Sequence, residues 1–125
     1  MKITDPDMGP GELLTKVLLN DEVKNMIRGT TPTVFIPIVG LDISTLDTIY
    51  LTFKQNKKIL TKREGEVEKD VENQRLIVKF TQEETLQFND GHIDVQLRGS
   101  AEGQKIASNI TRTTMKAILL EGVIE

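Results

Sequence analysis

Five acidic side chains fall at every second position: Glu64, Glu66, Glu68, Asp70 and Glu72. On an extended strand that spacing sets all five on one face, where carboxylate oxygens can gather a divalent cation. The geometry is a poor cage. Calcium sites converge their ligands from a tight loop with a central glycine, whereas a straight strand fans them out. The simpler reading is a solvated edge or loop whose like charges discourage edge-to-edge pairing, or a contact for a basic partner.

His92 is the only histidine and there is no cysteine. That excludes a Cys-His nucleophile and any thiolate or multi-histidine metal site. His92 follows a glycine turn at the start of a strand pattern, with no partners placed for general-base work. Asn89-Asp90-Gly91 is turn chemistry, and Asp42 and Asp47 lack the alternating series of a calcium loop. Gly99 and Gly103 precede no Lys-Ser/Thr helix, so they form no phosphate loop. A sugar-cleaving carboxylate pair normally brings stacking aromatics, and here one Tyr and four Phe serve mostly as core. No catalytic residue, metal ligand or cofactor is expected.

These residues must be positioned by a single domain, since 125 residues suit one core. Sixteen basic and nineteen acidic residues give a net charge of −3, the wrong sign for broad affinity to nucleic acid. No apolar run is long enough to span a membrane, and no signal-peptide pattern opens the chain. The absence of cysteine suits a reducing cytoplasm or a particle assembled in one.

Residues 1–10 are polar and turn-rich. From Gly11 to Ile27 the pattern becomes helical, with Leu13, Leu14, Val17 and Leu18 on one apolar stripe. So short a helix must dock on something. Leu13, Leu14, Val17, Leu18, Val23 and Ile27 are therefore the candidate partner-binding residues. From Thr33 the period changes to two. Strands are expected at Thr33–Ile38, around Ile49–Lys54, at Lys58–Arg63, at Leu76–Phe80, around Ile93–Arg98 and from Lys105 to about Lys116. Pro37 sets the first of these at an edge or beside a bulge. The last one drifts in alternation near Thr111, where a bulge is expected. Thr81-Gln82-Glu83-Glu84 has capping-box spacing and predicts one helical turn ending near Phe88. Six or seven short strands without helical crossovers predict an all-β, immunoglobulin-like antiparallel β-sandwich over residues 28–125, preceded by a partly helical arm over 1–27.

The two ends echo each other. Lys16-Val17-Leu18-Leu19-Asn20-Asp21-Glu22-Val23 is similar to Lys116-Ala117-Ile118-Leu119-Leu120-Glu121-Gly122-Val123. Beyond chance, the echo suggests that both segments use the same kind of groove. An arm reaching a neighbouring copy would then give head-to-tail assembly.

Arg28-Gly29-Thr30-Thr31-Pro32-Thr33, the central Val78–Phe88, Val95–Arg98 and Ala107–Ile110 together resemble a family of small structural proteins of Gram-positive, clostridial-type phages and prophages. The resemblance spans Arg28 to about Leu120, and the arm stands outside it. The layout is similar to the N-terminal domain of phage baseplate upper proteins. The resemblance implies an immunoglobulin-like sandwich acting as a non-enzymatic virion structural protein of the tail or baseplate, made in the bacterial host cytoplasm. Its partners would be other virion proteins or copies of itself, with no nucleic acid, membrane or small-molecule substrate. The alternatives are a head decoration or head–tail joining protein, or a carbohydrate or cell-surface recognition module.

Overall fold

The computed structural model describes residues 16–17 and 25–124. In chain order these form β1 (Lys16–Val17), β2 (Asn25–Ile27), β3 (Thr33–Val39), β4 (Leu46–Gln55), β5 (Lys58–Arg63), β6 (Val67–Asp70) and β7 (Arg75–Lys79). A short helix α1 (Gln82–Leu86) follows, then β8 (Gly91–Ala101), β9 (Gln104–Ala107) and β10 (Thr111–Lys116). One antiparallel sheet has the order β1-β3-β7-β6. The other has the order β2-β10-β8-β4-β5, with β9 also paired to β8. It is mixed, because β2 runs parallel to β10.

Alternation builds both sheets. Ile49, Leu51 and Phe53 of β4 point inward with Ile93, Val95 and Leu97 of β8, while Tyr50, Thr52 and Lys54 remain on the outer face. Val34, Ile36 and Ile38 of β3 and Leu76 and Val78 of β7 bury the opposite half of the same cluster. Phe53 and Phe80 close it with ring centroids 4.9 Å apart in an edge-on contact. The described residues are thus mostly β with one short helix, as the periodicity predicts, but the larger sheet is not purely antiparallel.

The parallel strand is the main departure. A partly helical arm is expected over 1–27, and within it Lys16–Val17 and Asn25–Ile27 are extended and belong to the two sheets. Met26 lies opposite Met115, and both are buried in the shared core. At Lys16–Val17 and Asn25–Ile27 pairing with a formed sheet overrides the weak local signal.

Pro37 lies within β3, at the last position paired with β7. The Ile38 amide donates toward β7, to the Gln74 carbonyl at 3.0 Å. Residues 33, 35 and 37 therefore turn their backbone groups to the other side. The N–H that proline lacks would have pointed to this side, where among the described residues β1 reaches only Ile38 and Val39.

The expected last strand is divided into β9 and β10, which occupy successive stretches of the same side of β8. Ser108 makes the break. Its amide donates to the Leu97 carbonyl at 2.8 Å, while its hydroxyl accepts from the Leu97 amide at 2.9 Å. A side chain thus replaces the backbone acceptor where the ladder loses register.

Candidate interaction surfaces

The helix α1 is positioned by its capping box. Thr81 Oγ1 accepts from the Glu84 amide at 3.1 Å, and Glu84 Oε1 accepts from the Thr81 amide at 2.9 Å. Its far end is held by Arg28. The guanidinium donates to the carbonyls of Phe88 at 2.6 Å and Leu86 at 3.1 Å, and pairs with the Glu121 carboxylate at 2.6 Å. Next to it, the Gly29 amide donates to the buried Thr85 hydroxyl at 3.0 Å. Gly29 has φ of 75°, and a Cβ there would lie 3.2 Å from Ile118 Cδ1. The Arg28-Gly29-Thr30 stretch and the Val78–Phe88 stretch, distant in sequence, are therefore one structural joint.

Beyond β10 the chain runs over this joint as a strap, residues 117–124, with no regular secondary structure. Polar contacts pin it at two points. Arg28 holds Glu121, and the Gln82 carboxamide both donates to the Ile124 carbonyl and accepts from the Ile124 amide, each at 2.9 Å. Ile118 is half-buried against Gly29, but the other large apolar side chains are not used in this docking. Leu119 is fully exposed, Leu120 is 75% exposed and Ile124 is 61% exposed, with Val123 also outward. The strap is held in place and presents Leu119, Leu120, Val123 and Ile124 to solvent.

The candidate binding residues fall in different places. Val17 lies in β1 opposite Ile38, and Ile27 lies at the end of β2 opposite Lys116, with its side chain 47% exposed. These two positions join separate sheets rather than one helical stripe. Leu13, Leu14, Leu18 and Val23 lie outside the described residues. Sequence periodicity alone does not find Leu119, Leu120 or Ile124 as exposed, because a run of aliphatics normally signals burial.

The acidic run is not one strand. It passes from the end of β5 through a turn into β6 and on to a second turn. Glu64 accepts from the Ile49 amide at 3.1 Å, and this amide, first among its contacts, holds the carboxyl below its ordinary range. Asp70 is lowered likewise by Asn73 and then by Arg75. These carboxylates serve local turns. Among the described residues, no three His, Cys, Asp or Glu side chains group closely enough to hold a metal ion.

His92 is exposed and borders a polar cleft of about 450 Å³ with Gln55, Asp90, Asp94 and Arg112. Gln55 is committed to the cleft wall, donating to the carbonyls of Asn89 and His92 and accepting from the Asn89 amide. Asp94 accepts from Arg112 at 3.0 Å. The polar groups here mainly brace the ends of β4 and β8.

No protein-family model matches this chain, and no curated protein sequence matches it. The resemblance to phage structural proteins rests on its quoted residues alone.

Proposed function

We propose that this chain is a non-enzymatic assembly module of a bacteriophage particle, in the tail or baseplate, with an immunoglobulin-like sandwich as its scaffold. The observation that carries the assembly reading is the strap. Ordered apolar side chains held outward by polar anchors are costly to leave in water and fit a surface covered by another protein.

Strand order supports the immunoglobulin-like scaffold. Such sandwiches carry A-B-E-D in one sheet and G-F-C, extended by C′, in the other. The orders β1-β3-β7-β6 and β10-β8-β4-β5 correspond to these in sequence and in neighbours. In that assignment β1 and β2 divide the first strand between the sheets. The scaffold alone names no partner, and the virion location rests on the resemblance carried by Arg28–Thr33 and Val78–Phe88.

Two measurements test the proposal. Light scattering of the full chain should report an oligomer that Leu119→Ser with Leu120→Ser converts to monomer. Antibody labelling of particles from a host carrying the gene should mark the tail tip. Labelling at the capsid would favour a head decoration or joining role, and unlabelled particles would refute the virion location.

A further inference from the structure

We infer that the outer face of the six-stranded sheet holds a binding site for an acidic saccharide, a polyhydroxylated ligand bearing a carboxylate or a phosphate. This site goes beyond the assembly reading and does not depend on it. A cleft of about 500 Å³ opens there, lined by Thr48, Tyr50, Thr52, Thr61, Arg98 and Lys105, within the size range of small-ligand sites.

The register explains how these residues meet. Tyr50 stands opposite Arg98 on β8 and opposite Arg63 on β5. The Arg63 guanidinium stacks 3.9 Å from the Tyr50 ring centroid, and its charge is answered by Glu64. That contact restrains the tyrosine while leaving the side of β8 to Arg98. The floor is hydroxylic. Thr52 Oγ1 lies 3.1 Å from Thr61 Oγ1, and Thr48 Oγ1 lies 2.8 Å from Ser100 Oγ. Each pair uses one proton internally, which leaves one further donor and spare lone pairs for a ligand.

Threonines suit an exposed strand on propensity alone. The cations do not have that explanation. Arg98 and Lys105 have no carboxylate partner among the described residues, and the lining contains no acid, in a chain of net charge −3. A guanidinium above a field of hydroxyls offers a two-pronged contact to a carboxylate or phosphate. The hydroxyls and the tyrosine ring supply the remaining polar and apolar contacts that a sugar requires. The cleft centres on β4 and β8, whose backbones are paired on both sides. Over these two strands an acidic peptide finds no ladder to extend.

The test is an NMR titration of the isotopically labelled full chain with trigalacturonate, glucose 6-phosphate, neutral maltotriose and polyglutamate. Trigalacturonate or glucose 6-phosphate should shift the amides of Thr48, Tyr50, Thr52 and Thr61, and which one does so more strongly identifies the anionic group. Arg98→Ala should weaken that binding by about 10-fold or more, with Arg98→Lys intermediate, since lysine keeps the charge and loses the fork. Arg98 is exposed, so an unchanged spectrum away from the cleft will show that the fold survives. Maltotriose should bind more weakly than either acid. The inference is overturned if neither acidic sugar moves the cleft amides, or if Arg98→Ala binds as wild type. It is also overturned if polyglutamate competes as well as the sugars, which would assign the face to an acidic protein.

Discussion

The ammonium of Lys62 stands 2.8 and 2.6 Å from the two carboxylate oxygens of Glu84, with the lysine side chain only 6% exposed. The same carboxylate completes the capping box of α1, and the ammonium also lies 5.4 Å from the centroid of the Phe80 ring. One pair thus ties β5 to the helix across the base of the core. Removing either partner differs from removing both, because a buried charge without its counterion carries the full desolvation cost.

Glu84→Gln is therefore expected to cost roughly 2–4 kcal/mol of unfolding free energy, since it strands Lys62 and weakens the cap. The double variant Lys62→Met with Glu84→Gln should recover part of that loss. Urea unfolding of the single and double variants gives the comparison. A double variant no better than Glu84→Gln would mean that the pair is not a unit.

The same carboxyl sets a pH dependence. Burial pushes its pKa up, but the Lys62 contacts and the Thr81 amide outweigh this and hold it below the ordinary 4.5. A carboxyl lowered by folding binds fewer protons in the native state than in the unfolded one. Its contribution is present above about 4.5 and disappears as pH falls through the lowered native value. Between pH 7 and 3 wild type should lose more stability than Glu84→Gln. The difference between the two curves removes the contributions of Asp42, Glu64 and Asp70, which are lowered in the same direction.

Arg28 reaches two carbonyls and Glu121 through one planar group, a geometry that lysine cannot reproduce. Arg28→Lys should cost about 1–3 kcal/mol in thermal or urea unfolding. It should also speed proteolysis within residues 117–124, because one of the polar anchors of the strap is weakened. Equal cleavage rates in the two proteins would show that Gln82 suffices to hold the strap.

Ser108→Ala removes the acceptor for the Leu97 amide in the middle of the buried strand β8. Leaving that donor unpaired should cost about 1–3 kcal/mol, with Ser108→Thr milder because it keeps the hydroxyl. Hydrogen exchange at Leu97 reads the effect directly, and unchanged protection in Ser108→Ala would refute it.

Local chemistry made much of this fold legible. The alternation in β4 and β8, the bounds of β5 and the Thr81–Glu84 box all follow from period, turn residues and side-chain reach. What local pattern does not carry is pairing between distant segments. β1 and β2 are two and three residues long, too short to show a period, and become strands only because β3 and β10 offer them partners. Likewise Lys62 looks like a solvent-facing lysine until α1 brings Glu84 over it. The exposed strap was hidden for the opposite reason, because Leu119, Leu120 and Ile124 have core-like side chains. The cleft needed the register, since Arg98 and Tyr50 are neighbours only across β8 and β4.

The central claim is that the strap joins this chain to another copy of itself. Solution mass by light scattering, over a range of concentrations, tests it most directly. Wild type should form a defined oligomer, and Leu119→Ser with Leu120→Ser should be monomeric with an unchanged circular dichroism spectrum, as both side chains are exposed. A wild type that stays monomeric at every concentration, or a variant that assembles equally well, would contradict the claim.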